Sequence, residues 1–285
     1  MTNGVYIALS AFGPDRVRTL GQPAFFAIAA AAGAEGVEVR RELFADAVPP
    51  LSAMAAFGRD LGLRRRYSVP FELHGADGAL QADELARYAA EAEALGADVL
   101  KVSLGHAPEV PDRAALASLV AGLPCRLLIE NDQTPQGGRL APLAAFLEAT
   151  ADLAIGLTFD VGNWSWTGED AVDAIARLAP SVAYVHCKSA ATEAGKLVAR
   201  PLAPTSALAA AVFSALPPGL PRAIEFPIEH PPIMLKQHDR QAAAQLIESG
   251  AFFHRPDASS RSENALVGDD LIAATRHHVN QLAGL

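Results

Sequence analysis

Short apolar runs alternate with Ala- and Leu-rich stretches from the first residues of the chain to about residue 250. Each run keeps one set of alternate residues apolar, which predicts β-strands, and the stretches between them have the length and composition of helices. Eight strands are predicted, over residues 5–12, 36–43, 66–73, 99–105, 126–132, 157–163, 182–188 and 222–228. This α/β pattern indicates repeated βα units. Eight units favour a closed (β/α)₈ TIM barrel over an open sheet, because closure leaves no strand edge unprotected.

The length of 285 residues suits one such barrel with additions, and no internal repeat or linker indicates a second one. We therefore predict a barrel over residues 1–250 and a C-terminal extension over 251–285 that packs on the barrel or on a partner subunit. Residues 192–204 would lengthen the loop after the seventh strand, and residues 269–282 would form one more helix. The apolar side of that helix would consist of Leu271, Ile272 and Val279.

Polar residues occupy the other alternate set of the predicted strands, mostly near the carboxyl ends. In a barrel this set points inward, and the carboxyl ends of the strands are where enzymes of this architecture carry their active sites. The inward polar residues are Ser10, Glu38, Arg40, Glu72, Lys101, Ser103, Glu130, Asp160, His186 and Glu225. A ring of polar groups at one end of the barrel is therefore predicted.

Glu130, Asp160, His186 and Glu225 lie at corresponding positions of the last four predicted strands. Consecutive strands are neighbours in a barrel, so the four side chains are expected to converge. Three carboxylates with one imidazole suit Mn²⁺, Mg²⁺ or Co²⁺, with Zn²⁺ as an alternative. The competing interpretation is that each carboxylate is paired separately with an inward basic group. The coincidence of four such residues on consecutive strands favours a metal site.

The sequence around these residues resembles the xylose-isomerase-like TIM barrel superfamily, the sugar phosphate isomerase/epimerase family. The resemblance rests on I-E-N at 129–131, F-D-V-G-N at 159–163, V-H-C-K at 185–188 and I-E-F at 224–226. It implies that Glu130, Asp160, His186 and Glu225 bind one divalent metal ion. It also implies a small-molecule sugar or polyol-derived substrate.

The activity that the resemblance implies is isomerisation or epimerisation of a keto sugar or related polyhydroxy carbonyl compound. A proton would move through a metal-bound enediolate, with Glu130 and Glu225 as the catalytic acid and base. One alternative is a metal-dependent dehydratase, a lyase acting on a keto-inositol-like substrate. Another is a non-catalytic sugar-binding barrel. The DNA-repair endonucleases of the superfamily are disfavoured, because they use a multi-zinc site with more histidines and a basic groove.

Five further residues are predicted to contact the substrate: Lys188, Lys101, Trp164, His74 and His106. The two lysines could donate hydrogen bonds to a substrate oxygen, or they could compensate the inward carboxylates. Trp164 could stack on a sugar face or cover the barrel end. His74 and His106 come just after the third and fourth predicted strands, where loop histidines are also common.

Composition excludes several classes of protein. The formal net charge of -9 gives no basic surface for nucleic acid. The first residues lack a secretory signal, and no apolar run approaches the roughly 18 residues of a membrane span, so a cytoplasmic protein is predicted. Two cysteines, Cys125 and Cys187, have no metal-site spacing and are expected to be buried apolar residues. A homodimer or tetramer is expected from surplus apolar surface on the loops at the barrel mouth and on the tail helix.

Overall fold

The computed structural model describes residues 4–44, 47–228 and 265–285, with side chains from 269 onward in the last range. Eight parallel strands form a closed barrel in the order β1-β10-β7-β6-β5-β4-β3-β2. The barrel strands are β1 Val5–Ala8, β2 Gly36–Arg40, β3 Arg64–His74, β4 Val99–Gly105, β5 Arg126–Glu130, β6 Ile155–Asp160, β7 Val182–His186 and β10 Arg222–Ile224. The predicted (β/α)₈ TIM barrel is confirmed.

Helices cover the outside of the barrel. They are α1 Pro14–Leu20, α2 Phe26–Ala32, α3 Leu51–Asp60, α4 Ala82–Leu95, α5 Arg113–Ala121, α6 Leu140–Ala149, α7 Trp164–Thr167, α8 Ala171–Leu178, α9 Ala207–Ser214 and α10 Ala265–Ala283. The outward apolar residues of the strands and the inner faces of these helices make one continuous core. Two short helices, α1 and α7, were not predicted, because four to seven residues are too few to show helical periodicity.

Most strands end earlier than the apolar pattern predicts. After β1 and β2 the chain turns into short 3-10 helices at Leu9–Phe12 and Arg41–Leu43. The pattern misses these ends because the residues of a 3-10 turn can also be apolar and buried. The early ends bring the chain around the polar mouth of the barrel.

The lower half of the barrel interior is filled by a separate apolar layer. It consists of Tyr6, Val99, Leu128, Tyr184 and Ala223. Tyr6 fits only because Gly36 faces it from the neighbouring strand, where a Cβ would lie 2.5 Å from the tyrosine ring. This layer closes the barrel below the polar mouth, as expected of a packed interior rather than a pore.

The loop after β7 is longer than the other strand-to-helix loops that the structure describes, as predicted, and it forms an antiparallel hairpin of its own. Its strands are β8 Lys188–Glu193 and β9 Lys196–Pro201, which pair with each other in a two-stranded sheet. Ala194 and Gly195 at the tip both have positive φ angles, 46° and 78°. This is the backbone that a two-residue hairpin turn requires.

The C-terminal helix α10 packs on α2 and against the neighbouring strands β1 and β10. Leu271, Val279 and Leu282 are buried against the barrel of the same chain. Nη1 of Arg222 donates to the carbonyl of Leu282 at 3.1 Å. The apolar side of α10 is therefore used within the chain, while the connection at 251–264 lies outside the described residues. Neither α10 nor any other helix in the described ranges is long and apolar enough to cross a membrane.

Candidate metal centre and active site

The structure brings the four predicted metal ligands together at the mouth of the barrel. Glu130, Asp160 and His186 end three neighbouring strands, and Glu225 directly follows β10 on the far side of β7. One ligand atom from each lies within 4.8 Å of the others. The side chains of Asp160 and His186 are fully buried, whereas those of Glu130 and Glu225 are 13% and 8% exposed. The four-residue cluster is therefore closed toward the barrel interior and open toward the barrel mouth.

His186 presents a different neighbour to each ring nitrogen. Its Nε2 lies 2.8 Å from Oε2 of Glu38, so Nε2–H donates to that carboxylate when the ring is neutral. Its Nδ1 lies 2.9 Å from both Oε1 of Glu130 and Oε2 of Glu225, yet has hydrogen-bond geometry to neither. Glu38 thus selects the tautomer that leaves the lone pair of Nδ1 free among carboxylates.

Asp160 is held by the turn that follows it. Its Oδ1 accepts hydrogen bonds from the backbone N–H groups of Gly162 at 2.9 Å and Asn163 at 3.1 Å. Its Oδ2 has no hydrogen-bond partner among the described residues and lies 2.7 Å from Nζ of Lys188. A Cβ at Gly162 would come within 2.9 Å of the Lys188 side chain, so glycine lets the lysine approach. One oxygen of Asp160 is therefore used for positioning, and the other faces the cluster.

Asn131 joins the ends of β5 and β6, and it was not among the predicted site residues. Its side-chain amide donates to the carbonyl of Asp160 at 2.9 Å and accepts from the N–H of Asp160 at 2.8 Å. Asn163 in turn donates to the carbonyl of Asn131 at 2.8 Å. These bonds fix the position of Asp160 relative to Glu130. Both asparagines stand in the motifs I-E-N and F-D-V-G-N, and their place in those motifs is the sequence signal that could have identified them.

Two inward cations lie on one side of the cluster. Nζ of Lys101 lies 2.8 Å from both carboxylate oxygens of Glu130 and 3.1 Å from Oε1 of Glu38. Nη1 of Arg40 lies 2.6 Å from Oε1 of Glu225 and 3.0 Å from Oε1 of Glu38. Glu38 therefore connects both cations with the imidazole. It was predicted to point inward but not to contact a metal ligand.

Lys188 lies on the opposite side of the cluster. Its Nζ is 2.8 Å from Oε2 of Glu225 and 2.7 Å from Oδ2 of Asp160. Charge compensation, the competing interpretation of the inward lysines, is thus present for both Lys101 and Lys188. Four carboxylates face three permanent cations, so complete compensation requires a positively charged His186, whose Nδ1 has no hydrogen bond among the described residues.

The pKa values of the cluster follow from burial and these contacts. Burial raises the pKa of each carboxyl group, but for Glu130 the charge of Lys101, and for Glu225 the charges of His186 and Lys188, bring the pKa below its ordinary value. At Asp160 the effect of burial is larger than that of the Lys188 charge, and the pKa is raised. Burial lowers the pKa of His186, but the surrounding carboxylates, Glu225 first, raise it well above its ordinary value. In the absence of another cation, these carboxylates therefore favour the protonated, positively charged form of the His186 imidazole.

An open cavity of about 340 Å³ lies directly above the cluster. Glu130, Glu225 and Lys188 form part of its lining. The rest of the lining is largely polar, including Arg40, Glu42, Ser103, Asp132, Gln133 and Asn163. A small polyhydroxy compound would find donors and acceptors on several sides of this space.

The other predicted substrate contacts lie outside this lining. Lys101 is buried beneath Glu130, and Trp164 is buried against the ring of Phe159, 5.5 Å between centroids. His74 is buried edge-on against a phenylalanine of α6, and burial lowers its pKa. His106 is exposed. The substrate roles of these four residues stay predictions, and Lys188 is the predicted contact that reaches the cavity.

The sequence matches no protein-family model and no curated protein. Solved structures do match. A xylose isomerase domain containing protein from Salmonella typhimurium LT2 is 14% identical, with a TM-score of 0.62 and coverage of 87% of this chain and 97% of that one. D-psicose 3-epimerase is 16% identical, with a TM-score of 0.58 and coverage of 98% and 99%. L-ribulose 3-epimerase is 16% identical, with a TM-score of 0.54 and coverage of 98% and 95%.

An AP endonuclease of family 2 from Brucella melitensis matches as well, at 15% identity and a TM-score of 0.53. The same barrel therefore serves sugar chemistry and nucleic-acid chemistry, and the fold does not choose between them. At these identities the likeness establishes architecture only. This chain has the fold of the xylose isomerase-like TIM barrels.

Proposed function

We propose that this protein is a divalent-metal-dependent isomerase or epimerase of a keto sugar or related polyhydroxy carbonyl compound. The observation that carries the proposal is the convergence of Glu130, Asp160, His186 Nδ1 and Glu225 within 4.8 Å beneath an open polar cavity. An endonuclease role is a poorer match, because the cluster has a single histidine and the chain has a net charge of -9.

The residues present fit a hard divalent cation. Among the described residues, His186 Nδ1 and Asp160 Oδ2 are buried without hydrogen-bond partners, and Nδ1 lies 2.9 Å from the carboxylates of Glu130 and Glu225. Oxygen-rich sets with one imidazole suit Mn²⁺, Mg²⁺ or Co²⁺. A cation held there would polarise a substrate carbonyl and stabilise the negative charge of an enediolate.

Glu130 and Glu225 would exchange protons with the substrate carbon next to the carbonyl. Both line the cavity, and they come from strands separated by β6 and β7, so they reach His186 Nδ1 from different sides. Neighbouring cations hold the pKa of each below its ordinary value, so each is unprotonated at neutral pH, the state from which a base must start. Removal by one glutamate and return by the other would invert a stereocentre, so we favour epimerisation.

Lys188 would act on the oxygen side of the same reaction. Its Nζ lies between Asp160 and Glu225 at the floor of the cavity, and these neighbours raise its pKa. The ammonium group is thus held charged where it can donate to a substrate oxygen that becomes negative. Two of the similar structures are 3-epimerases of ketoses, which supports this class of substrate.

Proton exchange with solvent tests the proposal. The purified chain is incubated with Mn²⁺ and a ketose in deuterated water, and deuterium is located by NMR or mass spectrometry. We expect deuterium on the carbon next to the carbonyl, because that proton must leave and return. Ketohexoses, ketopentoses, hydroxypyruvate and keto-inositols cover the candidate substrates.

Glu225→Gln should abolish most of the exchange while the metal stays bound, since an amide oxygen can remain a ligand but cannot accept the proton. Glu148→Gln, an exposed change on α6, serves as the matched control and should exchange at the wild-type rate. If a keto-inositol loses water while no deuterium enters the ketoses, the proposed activity would be that of a dehydratase rather than an epimerase. If neither reaction occurs at full metal occupancy, the remaining candidate is a non-catalytic sugar-binding barrel.

A further inference from the structure

A second cavity, of about 440 Å³, lies at the opposite end of the barrel, where the strands begin. Its walls come from the starts of β3, β4, β5 and β7 and from the segment that leads into β10. It shares no lining residue with the cavity above the carboxylate cluster. The apolar layer around Tyr6 and Tyr184 lies between the two.

The charged groups that line this lower cavity are mainly positive. Arg64, Arg66 and Arg126 contribute guanidinium groups, and Asp98 contributes the one carboxylate of the lining. Oδ2 of Asp98 accepts a hydrogen bond from Arg64, which also pairs with Glu35, whereas Oδ1 of Asp98 has no hydrogen-bond partner among the described residues. Arg126 has no ion-pair partner in the described part of the chain, and its side chain is exposed. A local excess of positive charge in a protein of net charge -9 indicates an anionic ligand.

Arg66 is the buried member of this group, with 5% of its surface exposed. Its guanidinium lies between two aromatic rings, 4.1 Å from the centroid of Tyr6 and 3.8 Å from that of Tyr184. Cation–π contacts of this kind hold the group in place but satisfy none of its N–H donors. Within the described residues Nε and Nη1 have no hydrogen-bond partner, and Oδ1 of Asp98 is 3.9 Å from Nε, too far for a hydrogen bond.

The adjacent residue shows what a satisfied buried arginine looks like in this protein. Arg65 points to the other side of β3 and donates to the carbonyls of Leu63, Leu95 and Gly96 at 2.6, 3.0 and 3.0 Å. Buried donors left without acceptors are costly, and more so when they are charged. Arg66 therefore calls for an acceptor from outside the protein, and the cavity is beside it.

We propose that the lower cavity binds a small phosphate oxyanion, either inorganic phosphate or the phosphate group of a small metabolite. The planar fork of Arg66 would bind two oxygens of the anion, and Arg64 and Arg126 would neutralise its charge from the rim. Water alone would satisfy the donors of Arg66, but it would leave the positive charge of the lining unbalanced.

Calorimetric titration of the full chain with sodium phosphate tests this site. Ionic strength is held constant with sodium chloride, and no divalent ion is added, so that phosphate does not report on the carboxylate cluster. We expect saturable binding at one site per chain. Arg126→Gln should weaken it about tenfold or more, the loss typical of one charge-assisted contact. Arg177→Gln removes an exposed arginine paired with Glu148 elsewhere and should leave the affinity unchanged.

Two further measurements complete the test. Arg66→Lys keeps the charge but loses the fork, and should also weaken binding; if that variant fails to fold, Arg126→Gln still decides. Glycerol 3-phosphate binding more tightly than phosphate would identify a phosphate ester as the ligand class, and equal affinities would identify free phosphate. Absence of saturation, or equal affinities for Arg126→Gln and Arg177→Gln, would overturn the proposal and leave water in the cavity.

Discussion

The two ends of the barrel interior treat buried charge in opposite ways. At the carboxyl ends of the strands, Glu38, Glu130, Asp160 and Glu225 interleave with Arg40, Lys101 and Lys188 at distances of 2.6 to 3.1 Å. At the amino ends, Arg66 lies between two tyrosine rings with no carboxylate in hydrogen-bonding range. One end has a surplus of acceptors and the other a surplus of donors.

This difference teaches that a buried charge must be considered together with its partners. At the carboxyl ends, His186 Nδ1 has no hydrogen bond among the described residues and lies 2.9 Å from the carboxylates of Glu130 and Glu225, an arrangement that favours a bound cation. At the amino ends, Nε and Nη1 of Arg66 and Oδ1 of Asp98 are without hydrogen-bond partners among the described residues, and the guanidinium donors outnumber that acceptor, which favours a bound acceptor.

The largest effect is expected from Lys101→Met. The change leaves Glu38 and Glu130 buried without their shared cation, which should cost about 3–5 kcal/mol of unfolding free energy in metal-free protein. Urea denaturation measures the loss, and saturating Mn²⁺ should reduce it, since a cation then neutralises the carboxylates. Arg177→Met breaks an exposed pair and should change stability by at most about 1 kcal/mol. Equal losses for the two variants would contradict the prediction.

Metal removal should have the next largest effect. A ligand that binds only the folded state at 100 times its Kd stabilises it by about 2.7 kcal/mol, so a chelator should lower the melting temperature by the corresponding amount. Differential scanning calorimetry with Mn²⁺ and with chelator measures the shift. The control is Asp160→Asn, which should melt at the same temperature under both conditions. A wild-type chain indifferent to Mn²⁺ would argue against the metal centre.

Glu38→Gln should weaken Mn²⁺ binding by about 10- to 100-fold, the usual cost of losing a partner that orients a metal-binding histidine. The amide can still accept from His186 Nε2, but it cannot stabilise the positive charge on the ring. Electron paramagnetic resonance of free Mn²⁺ gives the affinity. Glu84→Gln, an exposed change on α4, should have no effect. If Glu38→Gln bound Mn²⁺ as tightly as the control, Glu38 would not be a positioning residue.

The smallest effect is expected from Arg66→Met. Removing a buried cation that lacks a hydrogen-bonded carboxylate should change the unfolding free energy by less than about 2 kcal/mol, because the lost cation–π contacts are offset by relief of desolvation. Arg65→Met on the same strand should cost more, since three carbonyls lose their donor. Chemical denaturation of both variants in phosphate-free buffer compares them. The reverse ranking would show that Arg66 has a hidden partner.

Alternation was sufficient to predict the barrel, because inward and outward residues differ in polarity on every strand. The β4 boundaries match the prediction, while β1 and β2 end early. Where a strand ends depends on backbone hydrogen bonds, and side-chain polarity carries little information about these. Leu9 and Leu43 are buried in 3-10 turns, and because they are apolar the alternation pattern assigned them to strands.

The same alternation predicted that the four ligands converge, but not how they are supported. Strand parity places Glu38 inward, yet only the barrel closure brings it across to His186, 148 residues away along the chain. The role of Asn131 depends on a bridge to the backbone of the next strand, which no spacing reveals. His74 sits at the last residue of β3, where periodicity no longer fixes the direction of a side chain.

The hairpin after β7 offers a route to new specificity. All six of its residue pairs join β8 only to β9, and the tip at Ala194–Gly195 makes no barrel pairing. Residues added two at a time at that tip would keep the register of both strands. Lys188, the first residue of β8, would stay fixed to Asp160 and Glu225 while the distal part of the loop changed. If the proposed function holds, exchange of this hairpin would change the residues around the substrate while the carboxylate cluster stays as it is.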